Sequence, residues 1–210
     1  MMTNPVIDNV RRSLGRTAQS PLEPRPAIYE SRPPESLDAE STRFLEEVGK
    51  LSGVGQKLPP TGVDAALQVL VRRQEVHRAT AWETPYLRQL GIAEILNSYG
   101  VELISPNADK HEMALCDLGV TEADYLLPET GTLVLRSSSL QPRAVSLLPR
   151  IHLAVVRPFM LRPDMHQVFA EAKNSNYLVF ITGPSRTADI ELTLTIGVHG
   201  PQALYVWALP

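Results

Sequence analysis

The sequence predicts an α/β protein: a mainly parallel sheet with helices on both faces. Three observations carry this. Short, almost uninterrupted Val/Ile/Leu runs such as IHLAVV (151–156) and ALYVWAL (203–209) read as strands buried on both sides. Segments with apolar residues three and four apart separate them, and Gly or Pro marks most boundaries. Right-handed crossovers in such a sheet bring several strand carboxyl ends to one edge, where open sheets bind their ligands.

The elements follow in order. NPVIDNVRRSLGR is a short helix that Asn4 can cap, with Pro5 in its first turn and Ile7, Val10 and Leu14 on one face. Pro21, Pro24, Pro26, Pro33 and Pro34 then make an extended arm, because proline removes backbone donors and disfavours helix before it. This divides the chain into a helix and Pro-rich arm at 1–35 and a globular domain at 36–210. From Ser36, the residues Leu37, Phe44, Leu45, Val48 and Leu51 repeat with helical period and stop at Gly53. LSGVGQKLPPTG reads as a connector. It lacks the strand that a dinucleotide-binding glycine loop would follow. VDAALQVLVRRQ is helical, HRATAW a short strand, PYLRQLGIAEILNSYG helical to Gly100 and VELIS a strand. HEMALCDLG is read as helix, DYLLPETGTLVLRSS turns into a strand at 132–135, and IHLAVV is a strand. RPDMHQVFAEAK is helical, YLVFIT a strand of the same sheet, RTADIELTLTIG a helix and ALYVWAL the last strand.

Composition narrows the function. With 210 residues, 43% hydrophobic and 20% charged, the chain can bury a sizeable core. A net charge of -3 argues against binding a phosphate backbone, so no nucleic-acid partner is expected. No apolar run approaches the roughly 18 residues of a membrane span. The N-terminus lacks the apolar core of a signal peptide, which makes the cytoplasm the expected location. Cys116 is the only cysteine, which excludes disulfides within the chain and an iron–sulfur cluster held by it. His77, His111, His152, His166 and His199 show no zinc-ligand spacing, so no cofactor or metal is expected in this chain. No nucleophile elbow or phosphate loop occurs.

Two stretches concentrate chemistry. In ITGPSRTADIE, Gly183 permits a positive φ or a close approach, and Ser185 or Thr187 can accept from the free amides of the expected helix. Asp189 and Glu191 would complement that helix's dipole. Two readings fit: a well-capped helix, or amides, hydroxyls and Arg186 that bind a carboxylate or phosphate. His199 falls at the expected helix end, where imidazole can cap carbonyls. In LPETGTLVL, Glu129, Thr130 and Thr132 surround Gly131 in a tight turn. The turn is structural, or Glu129 is a base, nucleophile or hydrogen-bond anchor. Asp124 is placed to cap or brace the same loop. His152, beside Arg150, reads as a solvated or core-satisfied imidazole.

The strings ADYLLPETGTLVL, LLPRIHLAVV and ITGPSRTADIELTLTIGVHGPQALYV resemble the LUD-domain family, densely from about Val120 onward and more loosely before it. VRRSLGR resembles that family's leading helix, and Pro128 departs from a position where the family more often has a small residue. The resemblance implies a sheet of the ribose-5-phosphate isomerase and CoA-transferase-like type. It also implies a part in lactate utilization: oxidation of L-lactate to pyruvate by a three-part system whose other members carry iron–sulfur clusters. This chain would be an accessory, substrate-handling component, with Arg186, Ser185 and Thr187 binding a small carboxylate or a partner's acidic side chain. Glu129 and Thr130 would face it across a cleft. The alternative is a stand-alone enzyme acting on a phosphorylated or CoA-linked small metabolite, with Glu129 as base or nucleophile and the Gly183–Thr187 turn holding phosphate. A binding module that captures partners through the proline-rich arm is the third class.

Overall fold

The computed structural model describes residues 5–17, 32–187 and 195–210. The chain divides into two compact units, Met1–Ser31 and Arg32–Pro210. In the first, α1 (Pro5–Ser13) forms where the 3.6-residue period predicts it, with Asp8 in its first turn and Arg11 and Arg12 in its last. Asn4 and the prolines at 21, 24 and 26 lie outside the described residues.

The second unit runs α2 (Leu37–Lys50), β1 (Val54–Lys57), α3 (Val63–Arg73), β2 (Arg78–Ala81), α4 (Pro85–Gln89), α5 (Ile92–Ser98), β3 (Glu102–Ile104) and α6 (Lys110–Ala114). There follow β4 (Leu118–Glu122), β5 (Tyr125–Leu127), β6 (Thr132–Arg136), α7 (Ala144–Leu147), β7 (Ile151–Val156), α8 (Met165–Glu171), β8 (Leu178–Ile181), β9 (Arg186–Thr187), β10 (Thr195–Ile196) and β11 (Ala203–Ala208). Six strands form one parallel sheet in the order β1-β11-β7-β4-β2-β3. Register and the two-residue alternation of strand side chains put helices on both faces. Gly119 meets the Val145 carbonyl of α7, and Gly55 meets Leu45 of α2, on one face. On the opposite face, Gln74 at the end of α3 donates to the Tyr205 hydroxyl at 2.8 Å.

Four readings of the sequence are corrected. The Gly-Val-Gly stretch is no connector: it is edge strand β1, and the glycines admit α2 beside it. The helix around Cys116 ends at Ala114, and the next strand, β4, is the fully buried middle of the sheet. YLVFIT does not join the parallel sheet. As β8 it pairs antiparallel with β6, which pairs with β5, in a separate three-stranded sheet backed by Val168 and Ala172 around α8. The segment read as a helix from Arg186 to Gly197 begins and ends as strand, β9 pairing antiparallel with β10.

The histidine that opened an apolar strand is a core residue. His152 is 1% exposed, and its Nε2 shares a 2.8 Å hydrogen bond with the Thr121 hydroxyl on the neighbouring strand. Burial pushes the imidazole down to about 3, so it is neutral at pH 7. An unfolded chain takes up that proton below about pH 6.5, whereas the folded chain does not. The contribution is therefore complete above that pH and lost as pH falls toward 3, at most about 1.4 kcal/mol per pH unit. Urea denaturation at pH 7, 6 and 5 is expected to show this slope, and His152→Gln to flatten it.

Candidate functional site

Both motif stretches converge on the C-terminal end of α2. The hydroxyls of Thr130 and Thr132 share a hydrogen bond at 2.7 Å, and Thr132 shares another with Thr182 at 2.8 Å. This ladder ties the turn between β5 and β6 to the segment after β8. Gly131 has φ 57°, and a Cβ there would stand 2.7 Å from the Val48 amide nitrogen. Gly183 has φ 85°, and its Cβ would stand 3.1 Å from the Leu51 carbonyl oxygen. Both glycines are needed because α2 lies against their backbones. Arg186 donates to the Leu51 carbonyl and to the Ser52 hydroxyl, so its guanidinium caps the end of α2.

The other predicted residues are dispersed. Ser185 exchanges backbone bonds with Pro201 and Gly197, each at 2.9 Å. Thr187 pairs with Thr195 in register, and His199 is exposed in the loop after β10. Asp189 and Glu191 lie outside the described residues. The Glu129 carboxylate does not stand free: it accepts from Arg32 Nε at 2.8 Å and lies 3.8 Å from Arg43.

Arg32 organises that corner. Its Nη2 donates to both oxygens of Glu40 at 2.7 Å, and the Glu35 amide also donates to Glu40 at 2.7 Å. The Arg32 hydrogen bonds hold the Glu40 carboxyl below the usual range although the residue is only 4% exposed. Arg32→Ala is expected to lower Tm at pH 7 by leaving Glu40 desolvated with one backbone donor. Glu40 has a depressed pKa in the fold, so its contribution is present above the unfolded pKa and disappears as pH falls through the folded one. The gap in Tm between Arg32→Ala and wild type should accordingly narrow on going from pH 7 to pH 3.

The sheet topology points to a different place. The chain goes outward from β2 to β3, returns to β4 on the other side of β2, and continues outward to β7 and β11. The order thus reverses between β2 and β4, and open sheets of this kind hold ligands beyond the carboxyl ends of such a pair. A cavity of about 340 Å³ lies there, lined by Glu83 and Thr84 after β2, Glu122 at the end of β4 and Asp124 after it, Arg136 from β6 and Arg157 after β7. Thr84 caps α4, accepting from the Leu87 amide at 3.2 Å with Pro85 following, and this fixes the loop that bears Glu83.

Two guanidiniums are built into this crevice. Arg157 donates to Glu122, and its guanidinium carbon lies 4.5 Å from the Tyr86 ring centre and 4.6 Å from that of Phe159. Sandwiched between two rings, it loses little rotamer freedom when it binds an anion. Its Nε is buried and donates to nothing in the protein. Such a donor is costly unless water or a ligand takes it. Arg136 donates through Nε to Asp124 at 2.8 Å, and its own amide donates to the other Asp124 oxygen at 2.7 Å. Asp124 therefore braces β6. The crevice joins two guanidiniums, each paired with a carboxylate, and an acid at its rim in Glu83.

Sequence reasoning missed Glu83, Glu122, Arg136 and Arg157. A usable signal existed: each charge ends a strand or follows one within two residues. Among the described residues no group of three or more His, Cys, Asp or Glu is placed to hold a metal ion.

Comparison with known proteins adds the following. The LUD domain model matches residues 65–209. Lactate utilization protein C of Halalkalibacterium halodurans is 30% identical over 219 residues, covering 95% of this chain and 94% of that protein. Lactate utilization protein C of Shouchella clausii is 30% identical over 216 residues, with the same coverage of 95% and 94%. The crystal structure of a DUF162 family protein from Deinococcus radiodurans superposes with a TM-score of 0.63 at 18% identity, over 84% of this chain and 100% of that one, a likeness of fold.

Proposed function

The chain belongs to the LUD-domain family, and from that premise we propose that it serves lactate utilization as a substrate-handling component rather than as the carrier of electrons. The near full-length likeness to proteins named lactate utilization protein C carries the reading. In it, the crevice at the β2/β4 reversal receives the carboxylate of L-lactate or pyruvate, with the guanidiniums of Arg157 and Arg136 in its lining as the donors to that group. Electron transfer falls to iron–sulfur partners. This chain's donor set does not fit a cluster, since Cys116 is its single cysteine and burial pushes the thiol up to about 11. Exposed Arg186, at the end of α2, offers a partner's acidic side chain a guanidinium in the same assembly.

The test has two parts. Thermal shift with L-lactate, pyruvate and inorganic phosphate should raise Tm for the carboxylates through mass action. Pull-down from a host that grows on lactate should bring down iron–sulfur proteins, and deletion of this chain should halt that growth. Unimpaired growth on lactate after deletion overturns the pathway role, and a stabilisation seen only with phosphate overturns the carboxylate crevice.

A further inference from the structure

We propose that β8 is an interface: two copies of this chain pair their β8 strands antiparallel about a two-fold axis and so join their small sheets into one. The order β5-β6-β8 leaves the far side of β8 without a strand among the described residues. The backbone there is aimed outward. The Ser137 amide donates to the Tyr177 carbonyl at 3.0 Å, and bonding alternates along an antiparallel pair, so Tyr177, Val179 and Ile181 turn their backbone groups to β6. Leu178 and Phe180 therefore present amide and carbonyl to the open edge.

Native edges are ordinarily blunted by a charge, a proline, a bulge or a covering segment. β1 carries Lys57 and β3 carries Glu102. The outer side of β5 is covered where the Arg162 amide donates to the Leu126 carbonyl at 2.8 Å. β8 reads Leu-Val-Phe-Ile and has none of these devices. All of its residues stay half-buried although every one is apolar. Such an edge is a template, and its own hydrogen-bonding groups say what covers it: another strand.

A second copy is the occupant that the surroundings fit. With Val179 on the axis, Leu178 of one chain exchanges hydrogen bonds with the partner's Phe180, and the symmetry repeats the exchange on the other side. An axis perpendicular to the joined sheet keeps α8 of both copies on one face. α8 already leans over the edge, with the Phe169 ring centre 5.7 Å from that of Phe180 and Met165 one turn away on the same side. These two are 52% and 50% exposed, while Val168 and Ala172 enter the small core. Across the axis the two Met165–Phe169 stripes face each other, so the same surface on each copy covers the other. Leu178 and Phe180, which close the small core on its open side, are buried in the process. Neither β8 nor the stripe carries a charge that would select a strand of opposite charge from a different protein.

The experiment is sedimentation of the full chain over a concentration series. Wild type should show twice the mass of one chain, falling to one chain on dilution. Leu178→Pro removes an outward amide and no bond of the β6 ladder, as prolines on edge strands do, and should halve the mass. Phe169→Lys, at an exposed side chain, should do the same and stands in should Leu178→Pro not fold. Hydrogen exchange identifies the seam: the Phe180 amide, which faces away from β6, should exchange about tenfold or more slowly in wild type than in Phe169→Lys. A wild type that stays at one chain when concentrated, that grows beyond two copies, or whose doubled mass survives in either folded variant overturns the proposal. A dimer with a fast-exchanging Phe180 amide overturns it too.

Discussion

Arg157→Ala is expected to weaken carboxylate binding between tenfold and a hundredfold, the cost of about 1.5–3 kcal/mol that attends loss of a charge-assisted hydrogen bond. The effect should be larger than that of Arg136→Ala, because Tyr86 and Phe159 hold the Arg157 guanidinium and it loses less rotamer freedom on binding. Stability should fall as well, since Glu122, 8% exposed, loses its partner. A cost of about 1–3 kcal/mol is appropriate for a carboxylate stranded in so dry a place but next to a cavity open to water. The two effects are separable. Arg157→Met with Glu122→Gln removes both charges and should recover much of the stability while binding stays lost. Arg157→Lys keeps the charge but loses the planar fork and the stacking on Tyr86 and Phe159, so it should fall between. Titration calorimetry with pyruvate checks binding and thermal melts check the fold. If Arg157→Ala binds pyruvate as wild type does, the crevice is not the carboxylate site.

How much of this was written in the sequence depended on which strand was being read. β7 and β11 are legible because Ile151-His152-Leu153-Ala154-Val155-Val156 and Ala203–Ala208 are almost wholly apolar, as strands covered on two faces must be. β4 is buried just as fully, yet Leu118-Gly119-Val120-Thr121-Glu122 holds a glycine, a hydroxyl and an acid. Each exception is met by a tertiary partner that local pattern does not reveal: α7 packs on Gly119, His152 bonds Thr121, and Arg157 neutralises Glu122. Losing β4 meant losing the order reversal beside it, and with that the crevice. The louder local signal is Gly183–Thr187, whose glycine, serine and arginine resemble an anion cradle. The segment after it held a contrary signal, since Ile190, Leu192, Leu194 and Ile196 alternate with Glu191, Thr193 and Thr195. That period of two is a strand's, and β10 at Thr195–Ile196 agrees with it. In the Glu-Thr-Gly-Thr turn the glycine answers to the backbone of α2 and the glutamate to Arg32.

Gly119→Ala follows from the same strand and should be the most damaging single methyl in the fold. A Cβ at this position would lie 1.9 Å from the Val145 carbonyl oxygen and 2.9 Å from Pro149 Cγ. A backbone oxygen cannot swing aside as a side chain does, so α7 as a whole would have to lift off β4. That shift opens the core under Val145, which is 0% exposed and packs against the central strands. Overpacking of this severity costs about 3 kcal/mol or more, which for a chain of this size lowers Tm by roughly 6–12 °C. Two other glycines calibrate the result. Gly49→Ala, in α2 with nothing within 4 Å of the added methyl, should leave Tm unchanged or raise it, since alanine is the better helix former. Gly131→Ala should fall between, combining a left-handed φ of 57° with a 2.7 Å approach to the Val48 nitrogen in a turn nearer the surface. The order Gly49, Gly131, Gly119 is what the packing dictates. A Gly119→Ala protein that melts with wild type would mean that α7 does not rest on the middle of the sheet, and the spacing between Glu122 and Arg157 would lose its support with it.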